Sequence, residues 1–318
     1  MCKNWIAAGA VTAAFGLMAT TSHAQTTTVP GEQVGLAVGA PLPEGIYAID
    51  TFTYRSPDGP NANSADTSVN VPVLVWSTPW KIFDARIEAV VAQPTVFVFP
   101  RANGGRDFSI NVGTLVGSIF AWDLGNNVGF SYLAAVHLND LNAGRGLPIF
   151  SSNTYRQGFA LSYTGDGYNL TANLTHNIYD SPGRFEGRFG GLGQFFIADA
   201  LTLDLTATKK FGKFEIGAIG YGTTDLPGRI PVGAVNATSY SKAGRFALGG
   251  LIGYDFGPFT AQAWIARDVV TRATQISPIT GFSNGRDAYS TEGWVRIIAP
   301  LYSPTLVAAA PAPLIRKY

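Results

Sequence analysis

Two histidines, His137 and His176, are the side chains beyond residue 24 best suited to acid–base chemistry near neutral pH. A hydrolase built on a strand needs a serine on the same face as its histidine, commonly two residues away. Those positions hold Asn139 and Ile178 instead. Strand alternation predicts that His137 points to the inner face and His176 to the outer face. We therefore expect a structural role for both side chains.

The sequence also lacks the residue patterns of a metal site and of a nucleotide-binding site. Cysteine, histidine and carboxylate residues nowhere show the spacing of a zinc site. Gly190, Gly191 and Gly193 lie in a predicted long loop, whereas a nucleotide cradle needs a glycine turn between a strand and a helix. We expect no catalytic residue, no enzyme activity, no cofactor and no metal.

The composition indicates the class of protein. Charged residues make up 14% of the 318 residues, whereas a soluble domain usually carries about 25%. The 37 glycines and 19 prolines disfavour long helices. A formal net charge of +1 offers no field for a polyanion, so the composition excludes nucleic-acid binding.

The first 24 residues read as a secretory signal peptide. Lys3 precedes an uncharged run from residue 5 to 20, and Ser22 to Ala24 form a small-x-small cleavage site. The run is short for a membrane anchor, the alternative reading. Residues 297–315 are also uncharged, but four prolines interrupt them, so they cannot form a spanning helix. The apolar residues must therefore be distributed over strands.

Period-two alternation runs the length of the chain. In residues 168–179, YNLTANLTHNIY, one face is apolar and the other is polar. Residues 155–164 alternate likewise and lead through Gly165-Asp166-Gly167 into that segment, which predicts a hairpin. The predicted strands cover residues 45–55, 69–76, 85–98, 109–122, 128–139, 155–164, 168–179, 200–210, 213–223, 245–256, 259–270 and 288–299.

The connections between these twelve segments are alternately long and short. Outer-membrane barrels have this rhythm, with short periplasmic turns and long extracellular loops, whereas a soluble β-sandwich does not require it. The sequence therefore predicts an all-β fold, a transmembrane antiparallel β-barrel of about twelve strands with both termini on the periplasmic side.

Aromatic pairs flank three of the short turns and fall on the apolar face. The pairs are Tyr163 with Tyr168, Phe211 with Phe214, and Phe256 with Phe259. Such rings prefer the headgroup boundary, so they are predicted to form an interfacial girdle, although rings at the edge of a soluble core would look similar. Lys209 shares this face, and its stem can lie along apolar surface while the ammonium reaches the interface.

If the apolar face meets lipid, the polar face lines the lumen. The lumen candidates are Arg86, Glu88, His137, Asn169, Thr171, Asn173, Thr175, Asp204, Glu215, Gln262, Glu292 and Arg296. Both charge signs occur among neutral amides and hydroxyls, which predicts weak ion selectivity. Some of these side chains are expected to pair across strands instead of touching solute.

Three short motifs resemble the outer-membrane family named for the meta-pathway of phenol degradation. The segment 42–47, LPEGIY, resembles its opening motif, and residues 158–180 resemble its hairpin with a DG turn and an N-L-T run. Phe211-Gly212-Lys213-Phe214 followed by Gly220-Tyr221 is similar to its F-G-K-aromatic hairpin. The resemblance covers about residues 30–300. It implies a bacterial outer-membrane transporter for small, often aromatic or hydrophobic compounds, with no binding residue to carry over.

The predicted organisation is a signal peptide (1–24), a periplasmic leader (25–44), the barrel (45–299) and a Pro-rich tail (300–318). The leader could instead enter the lumen, and either Tyr302 or Tyr318 could be the aromatic recognised by the barrel-insertion machinery. We expect a passive channel in the bacterial outer membrane, with membrane lipid and a small organic solute as partners. A structural or adhesive barrel presenting long loops, or a barrel hydrolase, are the alternatives. The solute and the oligomeric state stay open.

Overall fold

The structure is a computed structural model that describes residues 28–58, 65–101, 105–111, 113–138, 153–179, 199–226, 244–272 and 289–304. These residues form fourteen strands. They are β1 (Gly45–Pro57), β2 (Ala65–Ile82), β3 (Ala85–Ala92), β4 (Thr95–Pro100), β5 (Phe108–Asn111), β6 (Thr114–Gly125), β7 (Val128–Leu138), β8 (Asn153–Tyr163), β9 (Tyr168–Tyr179), β10 (Ala200–Phe211), β11 (Phe214–Asp225), β12 (Gly244–Asp255), β13 (Thr260–Arg272) and β14 (Ser290–Tyr302). The predicted signal peptide, the loop with Gly190, Gly191 and Gly193, and Tyr318 lie outside the described residues.

The strands form one closed antiparallel barrel. Each strand from β7 to β13 pairs with both of its neighbours in the chain, and β1 pairs with both β14 and β2, which closes the sheet. β3 and β4 are two halves of one wall strand, because both pair with β2, and β5 and β6 are two halves of the next. The barrel therefore has twelve strand positions, and this confirms the predicted fold class.

Alternation explains why these residues form the wall. On β9, Leu170 and Leu174 are 45% and 41% exposed on the outside, whereas Thr171 and Thr175 are 5% and 1% exposed on the inside. The sheet satisfies its backbone polar groups across its ladders, so its outer face can be apolar throughout. Among the described residues there is no helix long and apolar enough to cross a membrane.

The two ends of the barrel differ in their connections, and we call them the short-turn end and the long-loop end. Short turns join β2 to β3, β6 to β7, β8 to β9, β10 to β11 and β12 to β13. The two-residue turn at Phe83 and Asp84 has positive φ at both residues (48° and 62°), as a tight hairpin turn requires. β1 begins and β14 ends at the short-turn end, as the sequence predicts for a periplasmic side.

The ladder between β3/β4 and β5/β6 is interrupted where β3 ends and β4 begins, and we call this break the seam. Gln93 and Pro94 separate β3 from β4, and Pro94 has no backbone N–H to donate to a ladder. The side chain of Gln93 bridges the seam: Nε2 donates to Asn111 Oδ1 and to Gly113 O, both at 2.5 Å, and Oε1 accepts from Thr114 Oγ1 at 2.5 Å. Side-chain hydrogen bonds thus replace the missing ladder.

Most strand bounds lie within a few residues of those predicted, but two elements are longer. β2 extends from Ala65 to Ile82, whereas the alternation predicts only 69–76. β14 continues through Pro300 to Tyr302, beyond the predicted end at 299, because Pro300 and Tyr302 still pair with β1. The start of the predicted tail is therefore part of the wall.

Candidate solute pathway and its plug

Residues 28–44 lie inside the barrel, and we call this segment the plug. At the long-loop end of the barrel, Thr28 Oγ1 donates to Asn177 Oδ1 over 2.8 Å. At the short-turn end, Leu42 N donates to Glu88 Oε1 over 2.8 Å. The sequence leaves open whether this segment is a periplasmic leader or enters the lumen, and these contacts correspond to a segment within the lumen. The plug spans most of the height of the barrel.

Asp204 on β10 is the best-defined anchor of the plug. Its Oδ1 accepts from Gly31 N at 2.9 Å and its Oδ2 accepts from Gln33 N at 3.1 Å. The side chain is 2% exposed, so both bonds are made away from bulk water. Hydrogen bonds to a buried carboxylate are among the stronger ones in proteins. This inward carboxylate therefore has a specific partner, the plug backbone.

Gly35 of the plug sits in a pocket of polar side chains. Its N–H donates to Thr206 Oγ1 at 2.8 Å, and its carbonyl accepts from Asn169 Nδ2 and Gln262 Nε2, both at 3.1 Å. A Cβ added at Gly35 would lie 2.8 Å from Gln262 Oε1, and its φ of +82° disfavours any other residue. The amide-rich face of the wall thus binds the plug.

Arg296 on β14 joins the plug to an aromatic cluster. Its guanidinium donates to Val34 O at 2.5 Å and to Glu32 O, and it lies 4.7 Å from the ring centroid of Trp264. Trp264 stacks on Trp294 with centroids 5.2 Å apart. Val34 is fully buried against this cluster. The plug is therefore held by apolar packing as well as by polar contacts.

A buried ion network lies toward the long-loop end. Arg245 contacts Glu292 at 2.5 Å and Asp268 at 3.1 Å, and Arg55 contacts Glu292 at 2.9 Å. Tyr221 Oη donates to Glu292 Oε2 at 2.6 Å. Two cations and two anions balance in this network, so it presents no field of one sign to a passing ion.

The opposite inner wall is apolar. Inward side chains of β1, β2, β3, β6 and β7 form a contiguous cluster that we call the apolar wall. Its members are Tyr47, Ile49, Val73, Val75, Val90, Ala92, Leu115, Ile119 and Ala135, with Leu42 of the plug packed at its short-turn end. Tyr47, Ile49, Val73, Ile119 and Ala135 are only partly buried. Residues 28–36 of the plug bond instead to β8, β9, β10, β13 and β14.

The predicted lumen residues all lie on the inner side of the wall, and most of them are buried. Those less than 10% exposed are Glu88, His137, Asn169, Thr171, Asn173, Thr175, Asp204, Glu215, Gln262, Glu292 and Arg296. Arg86 is partly exposed near the short-turn end, where Nη1 donates to Thr78 O at 3.0 Å. Contact of any of them with a solute stays a prediction.

The six predicted girdle rings lie outward at the short-turn end. Tyr168, Phe211, Phe214 and Phe256 are between 39% and 64% exposed, and Tyr163 and Phe259 are partly buried. Phe256 stacks on Phe259 at 4.8 Å between centroids. Their position at a headgroup boundary stays a proposal.

The two histidines lie in different settings. His137 is fully buried, and the Nδ1 atom of His176 lies 3.1 Å from Gln157 Nε2. Within the described residues, no group of three His, Cys, Asp or Glu side chains could hold a metal ion.

Sequence reasoning missed the apolar wall. Val73, Val75, Val90 and Ile119 occupy inward positions of strands that are apolar on both faces. Weak alternation in β2, β3 and β6 was the available signal, because a strand buried or lipid-facing on both sides reads as a nearly continuous apolar run.

Several solved structures resemble the chain to different degrees. An outer-membrane channel from Pseudomonas putida F1 is similar, at 13% identity and a TM-score of 0.57, over 86% of this chain and 99% of that chain. The translocator domain of autotransporter NalP from Neisseria meningitidis has a TM-score of 0.43 at 11% identity, over 81% of this chain and 89% of that one. The CymD monoaromatic hydrocarbon channel has a TM-score of 0.43 at 10% identity, over 89% and 96%.

The first of these structures shows that the fold is that of a bacterial outer-membrane barrel. Residues 48–278 match the model of the family described as "Putative MetA-pathway of phenol degradation", and the chain belongs to that family. No curated protein matches the chain in sequence.

Proposed function

We propose that the protein is a passive channel in the bacterial outer membrane that admits small apolar or aromatic solutes along the apolar wall. The observation that supports this proposal is the division of the lumen into a polar half and an apolar half. On the polar half, Asp204, Gln262 and Arg296 bond to the plug. On the apolar half, Ile49, Val73 and Ile119 keep part of their surface exposed. Pathways lined in this way favour solutes that gain by leaving water.

The family supports this class of solute, because its description links it to phenol degradation. The balanced ion network and the hydrogen-bonded amides argue against strong selection by charge. Flux is then downhill and selected mainly by size and polarity. We propose no enzyme activity for the chain.

The plug narrows this pathway, so it sets how large a solute can pass. Residues 38–42 cross to the apolar half at the short-turn end, where Ser131 Oγ donates to Val38 O at 2.7 Å and Ser77 Oγ donates to Leu42 O at 2.9 Å. A solute that descends along the apolar wall meets the plug there, and displacement of this stretch would complete the passage.

Proteoliposomes test the proposal through a substitution on the apolar wall. Ile119→Asn places an amide on this wall at similar volume, and Ile119→Leu is the matched apolar control. We expect uptake of a small aromatic acid, benzoate, to fall severalfold in the Asn variant and to stay near wild type in the Leu variant. Equal benzoate uptake by all three proteins, each shown folded by heat-modifiable gel migration, would contradict a route along this wall.

A further inference from the structure

The outer face of the barrel carries a groove across β9, β10 and β11. It encloses about 560 Å³, and its lining is almost entirely apolar. Ala207 of β10 and Ala218 of β11 form its floor, and they are direct partners in the ladder. Leu170 on one side and Leu248 on the other, 45% and 52% exposed, form the walls. The groove has the shape and polarity to take an acyl chain.

Lys209 lies at the short-turn end of this groove. It follows Ala207 by two residues on the same face of β10, so the two side chains are about 7 Å apart along the strand. Its ladder partner is Tyr168, and Lys209 Nζ lies 3.1 Å from Tyr168 Oη and 4.2 Å from the ring centroid. The described residues form no salt bridge with this ammonium.

The turn beyond Lys209 adds further positive charge. Lys210 and Lys213 lie within the same short stretch, so three lysines are concentrated at the β10–β11 turn. The neighbouring turns of the short-turn end carry carboxylates instead, with Asp166 on one side and Asp255 on the other. The basic turn is therefore local to the strands that form the groove.

We propose that this groove binds an anionic phospholipid of the periplasmic leaflet. The lipid phosphate accepts hydrogen bonds from the Lys209 ammonium and the Tyr168 hydroxyl, and one acyl chain lies over Ala207 and Ala218. Basic side chains at a membrane surface attract anionic headgroups, and an amphipathic lysine stem reaches that level from an apolar surface. The site is separate from the lumen and does not depend on solute transport.

Native mass spectrometry of the purified full barrel in neutral detergent tests the site. The probes are phosphatidylglycerol and phosphatidylcholine with identical acyl chains. We expect wild type to retain phosphatidylglycerol over phosphatidylcholine by about fivefold, the factor for one basic side chain at about 1 kcal/mol. Lys209→Gln should reduce this preference to near unity. Lys81→Gln, the same change at an exposed lysine at the end of β2, is the matched control and should keep it.

Two further variants separate headgroup from chain recognition. Ala218→Phe fills the floor of the groove and should lower retention of both lipids. Tyr168→Phe removes the hydroxyl that accepts from Lys209 Nζ, so it should chiefly lower the preference for phosphatidylglycerol. Heat-modifiable migration shows that each variant is folded. Equal retention of the two lipids by wild type, or a Lys209→Gln variant that behaves as Lys81→Gln does, would overturn the site and leave only ordinary annular lipid.

Discussion

The two hydrogen bonds between Asp204 and the plug permit a direct test of what holds the plug in place. Asp204→Ala removes acceptors for Gly31 N and Gln33 N, which lie 2.9 and 3.1 Å from the carboxylate. A hydrogen bond to a charged group contributes about 1.5–3 kcal/mol net, so losing both weakens docking of the plug by at least about 3 kcal/mol. At about 1.4 kcal/mol per decade, the displaced population rises about a hundredfold.

Single-channel recording in a planar bilayer measures this change. We expect Asp204→Ala to open more often or to a larger conductance than wild type. Asp204→Asn removes the same charge but keeps one oxygen acceptor, so its conductance should lie between the two. Thr202→Ala is the control on the same face of β10, because the hydrogen bond of Thr202 is with Thr223.

The order of these variants separates the effect of bonding from that of charge. If Asp204→Ala and Asp204→Asn gave the same increase, lost charge alone would explain it. If both matched wild type and Thr202→Ala while migrating as folded barrels, the plug would not be held by Asp204, and the reasoning from these bonds would be refuted.

Three further predictions concern the wall, and heat-modifiable migration over a temperature series measures each of them. Leu174→Arg should destabilise the barrel by about 2–4 kcal/mol, because Leu174 is 41% exposed on the outer face halfway along β9; an unchanged unfolding temperature would mean that this face does not meet lipid. Glu292→Ala should cost about 3–5 kcal/mol, because it leaves Arg55 and Arg245 buried with one carboxylate fewer. Gln93→Ala should cost about 1–3 kcal/mol through its lost side-chain hydrogen bonds across the seam, and no loss would show that the seam needs no bridge.

Strand alternation was enough to predict the twelve wall strands and the polar part of their inner face. The polar face of β9 and the inward carboxylates Asp204 and Glu292 follow from parity, because the side-chain period of a strand is two. The paired aromatics beside the short turns follow in the same way. These features are local, so one sequence contains the whole signal.

The partners of those inward side chains could not be predicted in the same way. The sequence predicts that Asn169, Asp204 and Gln262 belong to a wall open to solute, yet each bonds to the plug. Asn169 and Gln262 are 134 and 227 residues away in sequence from their plug partner, Gly35. The plug itself has no repeating pattern, so nothing local indicates where it docks. Thr171 is 5% exposed and bonded to Ser162 at 2.7 Å. A larger side chain at this position would therefore lack the room that an open lumen would give it.

The measurement that bears most directly on the proposed function is solute flux through the pure protein in liposomes. Benzoate loaded on one side should equilibrate faster than in protein-free liposomes and faster than a sugar of similar size. With an ionophore holding the membrane potential at zero, the benzoate anion should run down its concentration gradient until the two sides are equal, because the flux is passive. If folded protein admits neither benzoate nor ions, a passive channel is contradicted and a structural barrel that presents its long loops becomes the better account.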